Sequence, residues 1–321
     1  MRDHVIGAGL IAIGLLGNFG ALAAEPAGRQ AAEGRLDGVP GASAWLLQGR
    51  VAAVAAWPVF QRLYAAAPGE VGRQVAHWRQ RAQEAGINPT ADLQRVTLIG
   101  LDATNQVLLI EGRWNEARVM ARARQQPGFH SLTRDGVSLL GLRAGRQGLP
   151  LFAHFAGRRL CVGEDAAAVA AVARELAKPG TDLATFRAFG EGAGTGSGAM
   201  LSLLARDGQA LMRLLPESAM FAQATGIALH ARALPDQRLG LSLVARTADA
   251  AAAANLAQML TGLQAMAAFR AASEPPWAAL AQSIRIRSDG PSVGFDVTLD
   301  NTLAESFLTT TLRELQRKGR L

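Results

Sequence analysis

The chain has very little cysteine, and the little it has is informative. Cys161 is the single cysteine among 321 residues, and tyrosine also occurs once. A lone thiol excludes an internal disulfide framework, and no cysteine follows the apolar N-terminal segment, where the usual lipoprotein anchor would need one. The hydrophobic core must therefore hold the fold alone, and a hydrophobic content of 49% is typical of a globular chain.

Lysine is almost absent too, since it occurs only at positions 178 and 318 while arginine supplies the other cations. The formal net charge of +7 and the isoelectric point near 10.9 would suit an anionic partner. The arginines are scattered, however, and the abundance of Arg, Ala and Gly is what a GC-rich genome produces. This pattern argues against nucleic acid as a partner.

The longest apolar stretch lies at the N-terminus. Residues 5–24 contain Asn18 as their only polar residue and end in alternating alanines before Glu25. A charged start, an apolar centre and small residues at the end are typical of a secretory signal. We predict that residues 1–24 are a signal peptide and that the rest acts in the periplasm or outside the cell. The alternative is an uncleaved membrane anchor through residues 5–22, which is long enough to span a bilayer.

The remaining sequence divides into two stretches of similar layout. Residues 25–41 form a flexible lead, 42–189 a first half, 190–198 a glycine-rich linker and 199–321 a second half. Each half has the pattern strand, helix, hairpin, helix, hairpin, helix, and the first half carries one extra hairpin. The sequence predicts an α+β fold of two similar halves, each an antiparallel sheet covered by helices, with a possible internal duplication.

Several short signals place turns and helix starts. Asp135-Gly136 and Asp289-Gly290 predict two-residue hairpin turns, and Gly157-Arg158 predicts another. Asn115 and Asp165 are expected to cap the helices that follow them. These signals are local, so they fix the ends of elements and the pairing within hairpins.

A long alanine-rich helix is expected from about residue 248 to 269. Six apolar residues recur there at helical spacing and predict one buried face. They are Leu256, Met259, Leu260, Leu263, Met266 and Ala267.

His154 and Cys161 are the only candidates for catalysis. If Gly157-Arg158 is a two-residue turn, residue 154 faces residue 161 on one face of the hairpin. A thiol beside an imidazole is one form of activated nucleophile or half a metal site. The competing interpretation is that Cys161 is a small buried hydrophobe, since no third ligand or orienting acid is close in sequence.

Other sites of known chemistry are not indicated by the sequence. His77, His130 and His230 lie on separate elements without zinc-ligand spacing. The alternating glycines of 190–198 lack the lysine of a phosphate-binding loop, and Ser197 lacks the Gly-x-Ser-x-Gly spacing of a nucleophile elbow. We therefore predict no cofactor and no metal.

The segment Gly86-Ile-Asn-Pro-x-x-Asp-Leu-x-Arg-Val96 resembles a segment found in a loose group of uncharacterised exported bacterial proteins. In that group, Gly-Ile-Asp-Pro-x-x-Asp-Leu-x-Arg-Val leads into a strand. Asn88 stands here where the group more often has Asp. The resemblance implies an exported protein and carries no activity with it.

These observations favour an exported, non-enzymatic binding or assembly accessory protein of the bacterial envelope, whose partners are proteins. The alternatives are a membrane-anchored subunit of an envelope complex, with membrane contact through residues 5–22, and an enzyme that uses the Cys-His pair.

Overall fold

The computed structural model describes residues 43–65, 80, 82–84, 86–102, 105–126, 128–144, 149–178, 198–214, 216–236, 238–270, 275–306 and 309. The chain divides into two compact units. Among the described residues, the first unit contains 43 and 48–178, and the second contains 44–47 and 198–309. The expected signal peptide, the lead and most of the glycine-rich linker lie outside the described residues.

The first unit is built on an antiparallel sheet. Its strands are β2 (Leu93–Gly100), β3 (Gln106–Gly112), β4 (His130–Arg134), β5 (Val137–Ala144), β6 (Leu149–Ala156) and β7 (Arg159–Gly163), in the order β2-β3-β7-β6-β5-β4. Strand β1 (Trp45–Arg50) precedes them and lies beside β2. The helices are α1 (Val51–Ala55), α2 (Pro58–Ala65), α3 (Pro89–Asp92), α4 (Glu116–Arg124) and α5 (Ala166–Ala177).

The turns of the first unit follow its sequence signals. Asp135 and Gly136 have φ of +48° and +77°, which is the left-handed pair that a tight hairpin turn requires, and Arg134 pairs with Val137 across it. Gly157, at φ +60°, begins the turn that pairs Ala156 with Arg159. Both predicted two-residue turns are confirmed.

Helices α4 and α5 begin at the predicted caps. The Oδ1 atom of Asn115 accepts a hydrogen bond from the amide of Arg118 at 3.0 Å. The Oδ1 atom of Asp165 accepts one from the amide of Ala168 at 2.7 Å. Helix α5 then packs Val169, Val172 and its alanines against β6 and β7, where they are buried.

The strands of the second unit also pair antiparallel with their neighbours. Its strands are β8 (Leu201–Ala205), β9 (Gly226–Ala233), β10 (Leu239–Arg246), β11 (Arg285–Asp289) and β12 (Ser292–Leu299), in the order β8-β9-β10-β12-β11. Its helices are α6 (Gly208–Leu214), a 3-10 helix (Pro216–Phe221), α7 (Ala250–Arg270) and α8 (Pro275–Ser283). Helix α7 packs against α8, β11 and β12.

The last hairpin turns one residue later than the sequence predicted. Asp289 pairs with Ser292, so the two-residue turn is Gly290-Pro291 and Asp289 belongs to β11. Gly290 supplies the positive φ, +53°. Pro291 fits the next position because no hydrogen bond across the turn requires the N–H group that proline lacks. In β12, Val293, Val297 and Leu299 share a buried face, while Phe295 on the same face is half-buried.

The α+β class with antiparallel pairing is therefore confirmed. Ala44–Leu47 belongs with the second unit. Within the described residues, no helix is both long enough and apolar enough to cross a membrane.

Candidate interaction surface

Helix α7 buries only part of the face that its sequence pattern predicted. Leu256 and Leu260 are each 3% exposed and Ala267 is 6% exposed, so these three belong to the core. Gln264 lies on the same side, where its Nε2 atom donates to the carbonyl of Ala281 in helix α8 at 3.2 Å. The buried face is therefore narrower than expected.

The other three residues of the predicted face lie on the surface. Met259 is 46% exposed, Leu263 40% and Met266 59%, and Phe269 near the end of the helix is 84% exposed. They are the large hydrophobic side chains most exposed among the described residues. We call these four residues the apolar stripe.

The other exposed positions of helix α7 carry no charged side chain. No Asp, Glu, Lys or Arg occurs from 250 to 269, and the exposed remainder is mostly alanine. A surface helix of a globular protein normally carries charged residues opposite its core face, whereas a helix that is apolar all round is normally covered. Adjacent apolar side chains also differ from scattered ones, because a contiguous patch marks an interaction site. The surface of α7 therefore has the composition of an interface.

A groove lies beside the N-terminal half of the stripe. It runs between the 3-10 helix and α7 and has a volume of about 320 Å³. Met220, Ala252, Asn255, Leu256 and Met259 contribute to its walls. Since Met259 belongs to both features, the groove and the stripe form one continuous surface within the second unit.

The nominated pair, His154 and Cys161, is brought together in the register that was expected. The Nδ1 atom of His154 lies 2.9 Å from the carbonyl oxygen of Ser138, so a backbone contact fixes the ring. Cys161 is fully buried, and burial raises the pKa of its thiol to about 12 although the nearby Arg159 acts to lower it. A thiol that stays protonated at neutral pH is a poor nucleophile and a poor metal ligand.

A second polar group, which the sequence did not indicate, lies on the sheet of the second unit. Strand register aligns Ser202, His230, Ser242 and Asp296 across four neighbouring strands. A 2.8 Å hydrogen bond joins His230 Nδ1 to Ser202 Oγ, and Ser242 Oγ donates to Asp296 Oδ1 at 2.7 Å. The carboxylate of Asp296 also pairs with Arg287. Because Ser242 stands between the imidazole and the carboxylate, Asp296 does not orient His230 as a catalytic triad requires.

A partly buried charge cluster lies in the described part of the first unit. Glu111 accepts from Arg95 at 3.0 Å and from Arg159 at 3.1 Å, and the three side chains are 13–24% exposed. Glu111 sits on β3 between β2 and β7, so the cluster ties three neighbouring strands together. Both carboxylate oxygens of Glu111 pair with arginines of neighbouring strands. The cluster therefore stabilises the sheet.

No group of three or more His, Cys, Asp or Glu side chains that could hold a metal occurs in the part of the chain that the structure describes. The apolar stripe was missed because helical spacing gives the period of the apolar residues and not the direction in which they face. A usable signal was present, namely the lack of any charge between Asp249 and Arg270.

Comparison with known proteins gives a fold and no more. No protein-family model matches the chain, and no curated protein matches it. The chain is similar to the structure of crystal form III of TP0453, with a TM-score of 0.52 and 13% identity over 88% of this chain and 100% of that one. Crystal forms I and IV of TP0453 match with TM-scores of 0.47 at 13% and 14% identity, over 87% and 84% of this chain and 98% and 96% of theirs. At this identity the likeness shows the fold alone.

Proposed function

We propose that the protein is an exported, non-enzymatic binding or assembly accessory of the bacterial envelope. The observation that carries this proposal is the apolar stripe of α7, with the groove beside it. Apolar surface that stays in water costs about 25 cal/mol for each Å². A large apolar surface that is exposed in the isolated chain is therefore typical of a site that a partner covers in the complex. The signal-like sequence of residues 1–24 supports a location outside the cytoplasmic membrane, with protein partners there.

A non-enzymatic role is supported by the chemistry of the nominated pair. The thiol of Cys161 is buried and its pKa is raised to about 12, while the ring of His154 is held by a backbone carbonyl. The pair therefore lacks the thiolate that a cysteine nucleophile needs.

The proposal is tested by charge substitutions on two faces of α7. Met266→Lys places a cation on the stripe, and Thr261→Lys places the same cation on an exposed position of the opposite face. In cells of the source organism we expect the wild-type protein to resist washing from the envelope fraction or to migrate as a complex on native gels. Met266→Lys should lose that behaviour and Thr261→Lys should keep it.

Equal behaviour of the three proteins would contradict the proposal, as would recovery of the chain from the cytoplasm. The intact mass of the same protein separates the two envelope forms. A mass that begins near residue 25 supports a free exported accessory. A mass that includes residues 5–22 supports the alternative, a membrane-anchored subunit of an envelope complex.

We also propose that the two units arose by internal duplication. The order β8-β9-β10-β12-β11 parallels β1-β2-β3-β5-β4, with the hairpin β6-β7 inserted between β3 and β5. Helix α4 follows β3 as α7 follows β10. Superposition of β8–β12 on β1–β5 tests this: α4 and α7 should then cover the same sheet face, and opposite faces would reject duplication.

A further inference from the structure

The positive charge of the chain is concentrated in one stretch of the sequence. Residues 117–163 contain eight arginines and a single acidic residue, Asp135, a balance of +7 that equals the net charge of the whole chain. Elsewhere, Lys and Arg together are as numerous as Asp and Glu. The described part of this stretch forms most of α4 and the strands β4 to β7. Because a local excess of one charge attracts partners of the opposite sign, this part of the first unit suits an acidic partner.

Strand β4 is the outer strand of this basic region. It pairs with β5 and ends the strand order of the first unit. Arg134 and Val137 flank a two-residue turn and therefore exchange backbone hydrogen bonds, and the exchange recurs at every second pair of an antiparallel ladder. The N–H and C=O groups of Ser131 and Thr133 therefore point away from β5. Within the described part of the chain nothing bonds to them, so they are available to another strand.

The outer side of β4 lacks the usual obstacles to strand pairing. The strand has no proline, lysine or bulge, and Ser131 and Thr133 carry small, uncharged, exposed side chains. The ring of His130 lies back over β5, where a Cβ atom at Gly141 would come within 2.2 Å of it. Its Nδ1 atom is 2.9 Å from the carbonyl oxygen of Gly128, which holds the ring there. Strand β4 is therefore an open edge.

Three arginines lie around this edge. Arg134 and Arg143 occupy positions of the β4–β5 hairpin that share one face of the sheet, and the stem of Arg143 packs at Gly128, just before β4 begins. Arg174 reaches the hairpin from α5, since its Nη2 atom lies 4.0 Å from Oδ2 of Asp135. The Nε atom of Arg134 lies 4.0 Å from the same oxygen. Two exposed guanidinium groups thus share one carboxylate at the limit of ion-pair distance, which leaves positive charge for a partner.

We propose that β4 binds an extended, acidic segment of a protein partner, which pairs antiparallel with it and adds a strand to the sheet. In such an addition, main-chain hydrogen bonds supply affinity and alternate side chains supply specificity. Partner residues opposite Ser131 and Thr133 exchange backbone hydrogen bonds with them. The residues between lie on the face of Arg134 and Arg143, where carboxylates pair with the arginines. The apolar stripe has no part in this site, so the inference goes beyond the proposed function.

Two other occupants fit this edge less well. A second copy would bring two arginine-rich edges together, and like charges on paired strands are destabilising. Nucleic acid would bind the arginines through its phosphates. Its sugar–phosphate backbone, however, has no alternating N–H and C=O groups to match those of Ser131 and Thr133. An acidic peptide satisfies both the backbone groups and the charges.

Fluorescence anisotropy with the purified full chain tests the strand addition. The probe is a short, labelled synthetic peptide in which glutamate alternates with threonine or valine, and we expect a dissociation constant in the micromolar range. Methyl groups on the amides of the uncharged residues should abolish binding, because these amides face β4 in an antiparallel pair. Methyl groups on the glutamate amides face away from β4 and should leave binding unchanged. Equal effects of the two sets, or no binding of the unmodified peptide at about 1 mM, would overturn the proposal.

Substitutions in β4 test the same edge from the side of the protein. Thr133→Pro removes an N–H group that makes no bond within the sheet and should abolish peptide binding, whereas Thr133→Ala keeps this group and should bind like the wild type. Equal binding by the two variants would contradict strand addition. Circular dichroism checks that both variants fold, and if Thr133→Pro does not, the methylated peptides decide alone.

A charge reversal tests the role of the arginines. Arg134→Glu should weaken binding of the peptide by about tenfold or more. Arg232→Glu is an equal change of charge at an exposed position of the second unit and should leave binding unchanged. Equal losses in the two variants would mean that only the net charge of the chain matters, and the assignment to β4 would fail.

A DNA oligonucleotide and the Met266→Lys variant separate the remaining outcomes. If the oligonucleotide displaces the peptide and binds Thr133→Pro as tightly as the wild type, the basic region is a general surface for polyanions and the peptide assignment is wrong. Met266→Lys alters the apolar stripe and should leave peptide binding unchanged. Failure of the peptide to bind therefore overturns this inference and leaves the proposed function, which depends on the stripe, to its own test.

Discussion

The imidazole of His230 is held to Ser202 by a 2.8 Å hydrogen bond between two neighbouring strands, while its other ring nitrogen is buried without a partner among the described residues. His230 is 6% exposed, and burial lowers its pKa from 6.5 to about 4. The ring is therefore neutral at physiological pH, and protonation would place an uncompensated charge inside the second unit.

This arrangement predicts acid sensitivity. The unfolded chain binds a proton at His230 as pH falls through about 6.5, whereas the folded chain does not until about pH 4. The free energy of unfolding should therefore fall as the pH is lowered from 6.5 to 4. Below pH 4, His230 should lower it no further. At about 1.4 kcal/mol per pKa unit the loss is at most ~3.5 kcal/mol, and residual hydration makes it smaller.

Urea unfolding at a series of pH values measures the effect. The variant His230→Gln should have a shallower slope between pH 6.5 and 4 than the wild-type chain. His130→Gln, at an exposed position, is the matched control and should keep the wild-type slope. Parallel curves for His230→Gln and the wild type would refute the assignment.

The two ion pairs of Glu111 predict a large effect from a small change. Glu111→Gln leaves the guanidinium groups of Arg95 and Arg159 close together and only 13% and 24% exposed. Removing one partner of a buried pair costs about 3–5 kcal/mol, and partial exposure reduces this to roughly 1–3 kcal/mol. The matched control Glu84→Gln breaks an exposed pair with Arg122 and should cost less than about 1 kcal/mol. Equal urea midpoints for the two variants would contradict this prediction.

Cys161 should be inert in the folded protein. The fully buried thiol has a pKa raised to about 12, so the reactive thiolate is scarce at pH 8. Mass spectrometry after treatment with iodoacetamide should find no adduct under native conditions and one adduct in urea. Rapid labelling of the folded chain at neutral pH would instead favour the alternative of an enzyme that uses Cys161 and His154.

The two sides of α7 should respond differently to truncation. Leu260→Ala removes a side chain that is 3% exposed and should cost about 2–4 kcal/mol of unfolding free energy. Met266→Ala removes one that is 59% exposed and should cost less than about 0.5 kcal/mol in the monomer. Thermal or urea unfolding at submicromolar concentration measures both. A cost for Met266→Ala equal to that of Leu260→Ala would mean that Met266 is buried in solution.

Local signals in the sequence predicted much of the fold. The Asp135-Gly136 turn and the caps at Asn115 and Asp165 depend on residues within a few positions of one another, so their patterns suffice. The pairing of residues 154 and 161 also follows from a two-residue turn. The class, α+β with antiparallel sheets, results from such elements placed in order.

The candidate surface and the contact between His230 and Ser202 could not be predicted in the same way. Helix α7 is apolar around most of its circumference, so its pattern does not show which side faces the sheet. The contact of His230 with Ser202 depends on the register between β8 and β9, which are joined by a helix and a 3-10 helix rather than by a tight turn. The register between strands that are distant in sequence is set by the packing of the core. It cannot be predicted from local patterns in a single sequence.

Ala44–Leu47 belongs to the second unit, although the strands of the first unit follow it directly in the sequence. The amide of Arg206 donates to the carbonyl of Ala44 at 2.8 Å, and most of the first unit lies between these two residues along the chain. Trp45 and Leu46 are buried in the folded protein, so they are covered only when the second unit is present. A chain that is cut before about residue 206 should therefore expose these two apolar side chains and aggregate.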